Sequence, residues 1–144
     1  MLHCISLEDA LARLTVGWTP SPAALHPRAA LVPDRLAELA GEAGQRVTVQ
    51  PVAPWETSTD LEMLAAVEAL DGPLRGELVF ITEASFGVDV GAFLVDATEL
   101  PAFLEEHQRL HEPVFNGDTI IGIPGEGRVL CLHHGDVIIA ITRP

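Results

Sequence analysis

The sequence predicts an α+β domain in which helices pack on a mostly antiparallel sheet. Three observations support this fold class: capping boxes open two helices in the first half, apolar strands dominate the second half, and short glycine turns join the last three strands. Turns this short connect antiparallel neighbours, so we expect a C-terminal three-stranded meander. We expect about five to six strands and three to four helices in a single domain, residues 1–144.

A serine or threonine followed three residues later by an acid marks a helix start, because their side chains satisfy free backbone N–H groups. Ser6 and Asp9 form the first such box. Thr59 and Glu62 form the second. Each helix is expected to run for about ten residues, until glycine or proline stops it.

The segment between these two helices contains a proline-rich connection, a third helix and a strand. Prolines make residues 17–33 mostly irregular. Proline also suits the first turn of a helix, so a helix follows over residues 33–43, and Gly44 ends it. Alternating apolar residues over 46–52 predict a strand, which Pro51 confines to an edge of the sheet.

The second half is predicted to be strands around one helix, with turn residues setting the bounds. In chain order the segments are strand 77–82, strand 88–96, helix 98–111, and strands 119–123, 128–133 and 137–142. The last three strands are apolar on both faces. Such strands are either central, or covered by helices on one face and by a partner on the other. A homodimer contact through this sheet is therefore one expectation.

The charge excludes several partners. The chain has 21 acidic and 8 basic residues, a net charge of -13, and all of the basic residues are arginine. Such a surface repels nucleic acid and anionic membranes and attracts cationic partners. The N-terminus has no signal-peptide pattern, and no apolar run is long enough to span a bilayer. Cys4 and Cys131 lie among apolar neighbours and are interpreted as core thiols, so we expect a cytoplasmic protein.

Histidines form the one candidate metal site. Four of them occupy the end of the predicted helix and the end of a later strand: His107, His111, His133 and His134. The helical pair lies one turn apart on the apolar face, as paired zinc ligands do. Successive strand residues point to opposite faces, so only one of the strand pair is expected to join them. The alternative is that these histidines are structural and that the protein needs no cofactor; otherwise the ligand is zinc or another divalent metal.

Tryptophans and acids are the candidate partner-binding residues. Trp18 and Trp55 lie in proline-rich connections, where they either cover the core or anchor a partner. The more acidic C-terminal half supplies acids suited to a basic protein surface. These acids are Glu105, Glu106, Glu112, Asp118 and Glu126.

Signs of nucleophilic catalysis are weak. Ser85 has glutamate at position 83, where a nucleophile elbow requires glycine. Cys131 lies in the middle of an apolar strand, where a thiol is inert. The sequence therefore favours a small acidic protein-binding module, immunity- or inhibitor-like, that engages a basic partner. The alternatives are a small metal-dependent enzyme that uses the histidines, and a structural homo-oligomeric domain.

Overall fold

The computed structural model describes residues 2–52 and 54–144 and confirms the α+β fold. The α-helices in the described ranges are α1 (Leu7–Leu14), α2 (Pro27–Ala30), α3 (Pro33–Glu42), α4 (Asp60–Asp71) and α5 (Leu100–Leu110). The strands are β1 (His3–Ile5), β2 (Arg46–Pro51), β3 (Glu77–Ile81), β4 (Ala92–Asp96), β5 (Thr119–Ile123), β6 (Arg128–His133) and β7 (Val137–Thr142). None of these helices is both long enough and apolar enough to cross a membrane.

All seven strands belong to one sheet with the order β1-β4-β3-β5-β6-β7-β2, and every neighbouring pair is antiparallel. The predicted C-terminal meander is confirmed at its predicted bounds. The prediction of five to six strands is slightly low. The strand it lacks is β1, whose three residues are too short to display an alternating pattern.

Helices pack on both faces of the sheet, which explains why the central strands are apolar on both faces. Leu78 and Phe80 of β3 belong to the core shared with α4 and α5. Val79 and Ile81, which point the other way, belong to the core shared with α1, α2 and α3. The central position of these strands thus accounts for their composition without a partner on either face. The homodimer contact stays a prediction.

Both predicted helix starts are confirmed; the box at Thr59 is complete, whereas at Ser6 only the serine half of the box is formed. The Ser6 side chain accepts a hydrogen bond from the N–H of Asp9 at 3.0 Å. Thr59 and Glu62 exchange both bonds of their box, at 2.8 and 3.2 Å. Helices α1 and α4 therefore begin where local sequence chemistry specifies.

The strand predicted over residues 88–96 is wrong in its first half, because β4 begins only at Ala92. Asp89 has φ 60° and Gly91 has φ 81°, backbone conformations that a strand does not contain. A Cβ atom on Gly91 would lie 2.3 Å from the carbonyl oxygen of Ile5, so the glycine lets β1 approach. Val88 is consequently exposed on the connection.

Two smaller expectations also require correction. The helix predicted over residues 98–111 begins at Leu100, and Asp96 caps the turn before it, since its carboxylate accepts the N–H of Thr98 at 3.0 Å. A 3₁₀ turn, Ala97–Glu99, then precedes the helix. Cys4 is exposed because it lies in the edge strand β1, whereas Cys131 is buried as predicted.

Candidate binding site at one end of the sheet

The loops at one end of the sheet lie side by side because the strands they join are neighbours. Ile81, the last residue of β3, pairs with Ile120 near the start of β5. His133, the last residue of β6, pairs with Val137 at the start of β7. The segments after β3, before β5 and between β6 and β7 therefore meet at this end.

Two carboxylates at this end are fixed by backbone N–H groups. Glu83 Oε1 accepts the N–H of Asp118 at 3.1 Å, and Asp118 Oδ1 accepts the N–H of His134 at 2.8 Å. Gly117, at φ 103°, leaves room for this contact, since a Cβ there would lie 2.8 Å from Glu83 Oε1. The second oxygen of each carboxylate makes no hydrogen bond to residues 2–52 or 54–144.

These two acids stand at the mouth of a cavity of about 320 Å³. Its wall is largely apolar and includes Val32, Pro33, Ile81, Phe86 and Ile120. Arg28 also contributes to the rim. Its guanidinium donates to the carbonyl of Phe86 at 2.8 Å and lies 5.8 Å from the centre of that ring. An apolar cavity with a few fixed polar groups at its mouth is the usual form of a binding site.

Two histidines border the same site, and both point to the same side. The rings of His133 and His134 stack with their centres 4.0 Å apart. β6 ends at His133, so the strand alternation that was expected to separate the two side chains does not extend to His134. His134 Nδ1 lies 2.9 Å from Asp118 Oδ1, and His133 Nε2 lies 3.2 Å from Asp34 Oδ2.

Three carboxylates at this end of the sheet act on the ring of His134. The hydrogen bond to Asp118 and the charge of that carboxylate raise the pKa of His134, and Asp34 and Glu83 raise it further. A raised pKa means that the environment favours the protonated, positively charged ring. The same environment favours any other cation placed here.

The helical histidines lie elsewhere, and the four predicted metal ligands are not brought together. His107 is fully buried, as the helical pattern predicts, and burial lowers its pKa. Its Nδ1–H donates to the carbonyl of Glu112 at 2.6 Å, and Nε2 accepts from Thr82 Oγ1 at 2.9 Å. Both ring nitrogens therefore have protein partners. His111 is exposed, although its ring centre lies 5.4 Å from that of His107.

Only one of the two tryptophans is near the site. Trp18 is 6% exposed and belongs to the core beneath α1 and α3, so it is not presented to a partner. Trp55 is half-buried, and its Nε1–H donates to the carbonyl of His134 at 3.3 Å. The second tryptophan thus adds aromatic surface beside the two histidines.

The predicted acids do not form one surface. Asp118 belongs to the site, and Glu112 lies nearby on the segment that leads to it, where it accepts from Asn116 Nδ2 at 2.9 Å. Glu105 is exposed on α5, and Glu106 lies 3.7 Å from Arg109 on the same helix. Glu126 lies in the β5–β6 turn, at the opposite end of the sheet.

That opposite end carries most of the positive charge. Arginines lie at or beside the starts of β2, β3 and β6, after the end of β7, and in the last turn of α1, which contacts the start of β3. These are Arg46, Arg75, Arg128, Arg143 and Arg13. Five of the eight arginines therefore lie away from the cavity, which leaves the acidic end with little compensating charge.

Sequence reasoning missed Asp34 and Glu83. Glu83 directly follows β3, and Asp34 lies in the first turn of α3, but each position is common for an acid and carries no sign of its partner. Their contacts follow from the strand order and from the packing of α3 on the sheet. Comparison with known proteins found no matching family, no matching curated sequence and no matching solved structure.

Proposed function

We propose that this chain is a protein-binding module that engages a basic partner through the acidic end of its sheet. The observation that carries the proposal is the pair Glu83 and Asp118, two carboxylates fixed by backbone N–H groups at the mouth of an apolar cavity. Because one oxygen of each is anchored and the other has no partner among the described residues, the pair is arranged in advance for a cation.

The cavity suits a long basic side chain. An arginine or lysine of the partner would place its aliphatic part against Ile81, Phe86 and Ile120, as such side chains pack on apolar surface while their charged ends stay at the polar rim. Its charged group would then meet Glu83 and Asp118 in charge-assisted hydrogen bonds, which are stronger than neutral ones. Trp55 packs on the other face of the sheet and would offer further contact area beside His134.

The overall charge distribution also favours the approach of a basic partner to the cavity end. The net charge of -13, with most arginines at the far end, attracts a basic protein toward the cavity end and increases the rate of encounter. Arg28 opposes this effect locally, because the carbonyl and ring of Phe86 hold its guanidinium in place without neutralising its charge. Cys4 and Cys131 are free thiols, which is typical of the cytoplasm, and we place the encounter there.

The test compares two variants with the same loss of charge. The first, Glu83→Gln with Asp118→Asn, removes both site charges while the amide oxygens can still accept the backbone N–H groups. The control, Glu105→Gln with Glu126→Gln, removes two charges outside the cavity. Each protein is used as bait in extracts of the source cell, and the affinity of any retained protein is then measured after purification at two salt concentrations.

We expect the wild type and the control to retain a basic protein whose affinity falls at high salt. We expect the site variant to bind it at least tenfold more weakly, because a desolvated charge loses its partner. Equal weakening in both variants would mean that overall charge, not the cavity, determines binding, and would contradict the proposal. Unchanged affinity in the site variant would contradict it as well.

A further inference from the structure

We infer that Asp118, His133 and His134 form a binding site for a divalent transition-metal ion such as Zn²⁺. Within residues 2–52 and 54–144 they are the one group of three potential ligands whose donor atoms, one from each residue, all lie within 4.8 Å of one another. This site keeps the predicted His133 and His134 and adds Asp118, whereas the predicted His107 and His111 take no part in it.

The donor atoms are near enough to close on one ion with small movements. Zinc bonds to imidazole nitrogen and carboxylate oxygen are about 2.0–2.2 Å long, so two ligands in a tetrahedral site are roughly 3.4 Å apart. His134 Nδ1 and Asp118 Oδ1 are already 2.9 Å apart. His134 is the last ligand in the chain and is 64% exposed in a turn, so its ring is free to adjust. A displacement on the order of 1 Å would complete the coordination.

His133 has the tautomer that metal binding through Nδ1 requires. The N–H of Gly135 donates to His133 Nδ1 at 2.9 Å, so this nitrogen carries a lone pair and the ring proton is on Nε2. Nε2–H in turn faces the carboxylate of Asp34 at 3.2 Å. A metal ion on Nδ1 would replace the Gly135 N–H as its partner. Asp34 would then orient the ring by accepting the hydrogen bond from Nε2–H, as carboxylates commonly do behind zinc-binding histidines.

The charges of the surrounding side chains suit a divalent cation. On His134 the metal would replace the proton on Nδ1, which is released to solvent, and the neutral ring would carry its one remaining proton on Nε2. A 2+ ion would lie near two carboxylates, Asp118 and Asp34, with two neutral imidazoles. In the same turn Asp136 Oδ1 is buried and accepts no hydrogen bond from the described residues. A bound ion or water would satisfy a buried carboxylate oxygen of this kind.

Nitrogen with oxygen ligands suits zinc, cobalt or nickel rather than magnesium or calcium. Three protein ligands leave the fourth tetrahedral position to water or to an atom of another molecule. The site would therefore have one coordination position open to solvent or to a bound molecule.

The test is titration of the tag-free chain with Co²⁺, which absorbs visible light when it is bound tetrahedrally, followed by calorimetry with Zn²⁺. His134→Ala removes a ligand from an exposed position, and Asp34→Asn removes the second-layer carboxylate. His111→Ala is the matched control, because it removes an exposed histidine outside the group. Circular dichroism checks that each variant is folded.

We expect one metal ion per chain in the wild type and in His111→Ala. We expect at least tenfold weaker binding in His134→Ala, and a loss of about tenfold in Asp34→Asn. Wild-type affinity weaker than about 1 mM would overturn the inference, since structural zinc sites bind many orders of magnitude more tightly at neutral pH. Unchanged binding in His134→Ala, or equal loss in His111→Ala, would also overturn it. No partner is present in this experiment, so its result is independent of the proposed function.

Discussion

Gly117 determines where the carboxylate of Glu83 can lie. Its φ of 103° is unfavourable for any residue with a Cβ, and that Cβ would be 2.8 Å from Glu83 Oε1. We expect Gly117→Ala to reduce the free energy of unfolding by about 1–3 kcal/mol, and to displace the carboxylate from the N–H of Asp118. Urea unfolding measures the first effect, and the amide shift of Asp118 in NMR spectra reports the second.

Gly41 provides the control for this substitution. It lies in α3, its φ is in the normal range, and a Cβ there meets nothing within 4 Å. Gly41→Ala should therefore stabilise the protein by about 0.4–1 kcal/mol. If both alanine variants changed stability in the same direction, the geometry described for Gly117 would be wrong.

His107 makes stability depend on pH. Burial lowers the pKa of this ring in the folded protein below its ordinary value of 6.5; the Glu112 carbonyl, Asp60 and the Glu112 carboxylate oppose that change, and His111 reinforces it. Below pH 6.5 the unfolded chain therefore binds a proton that the folded chain does not. Stability should fall as pH falls through 6.5, and the loss should level off below the folded-state pKa.

The measurement is the free energy of unfolding from pH 7.5 to about 4.5, for the wild type and for His107→Gln. The difference in free energy of unfolding between the two proteins isolates the contribution of the His107 ring, because they share all other titratable groups. We expect the advantage of the wild type to shrink as the solution becomes more acidic. An advantage that stays constant or grows would show that the ring is not held neutral.

At the scale of elements, Asp60 ties α4 to the segment before β5. Its carboxylate is buried at the start of the helix and accepts the N–H groups of Val114 and Phe115 at 2.9 and 3.1 Å. Asp60→Ala leaves two buried N–H groups without acceptors, and each costs about 1–3 kcal/mol. We expect a loss of about 2–4 kcal/mol in the free energy of unfolding, measured with urea.

Two comparisons make this prediction specific. Asp60→Asn retains one acceptor oxygen and should cost less than the alanine variant. Glu56→Ala removes an exposed acid from the neighbouring turn and should change stability by less than about 0.5 kcal/mol. A loss in Glu56→Ala as large as that in Asp60→Ala would point to charge rather than to the two hydrogen bonds.

Elements with local signals were predictable from the sequence, and contacts between distant elements were not. The boxes at Ser6 and Thr59 specify helix starts by themselves, and the glycine turns specify the last three strands. The start of β4 was mispredicted because Asp89 adopts a positive φ that its sequence does not announce. Side-chain periodicity likewise placed His107 toward the core, but it did not name the groups that hold its ring.

The candidate site depended on strand order, which no local pattern encodes. Glu83 meets Asp118 because β3 pairs with β5 as well as with β4. The sequence places His133 and His134 next to each other. Alternation along a strand would point their side chains to opposite faces, but β6 ends at His133, so the alternation does not apply to His134. The sequence shows that the chain is acidic. It does not show that Glu83 and Asp118 line a cavity, because the cavity forms only when the elements pack together.

At the scale of the whole molecule, the net charge of -13 sets a repulsion that salt should relieve. The screening length falls from about 30 Å at 0.01 M salt to about 8 Å at 0.15 M. We expect the free energy of unfolding to rise by about 1 kcal/mol over this range, or roughly 3 °C in Tm, as measured calorimetrically with sodium chloride.

The opposite result has a defined meaning. Arg128 Nη1 lies 3.0 Å from Asp71 Oδ2, and both side chains are largely buried. Attractive pairs of this kind are weakened by salt, although less than exposed ones. A stability that fell as salt increased would show that such pairs outweigh the overall repulsion.

The sheet also constrains how a newly made chain can fold. Both outer strands come from the first third of the chain, and β2 pairs with β7, whose last residue is Thr142. A ribosome that adds 5–20 residues per second needs about 5–18 s to reach the end of β7 after completing β2. During that interval the sheet that the N-terminal helices cover is incomplete, so the apolar side of these helices depends on the charge of the segment, or on a chaperone, to avoid aggregation.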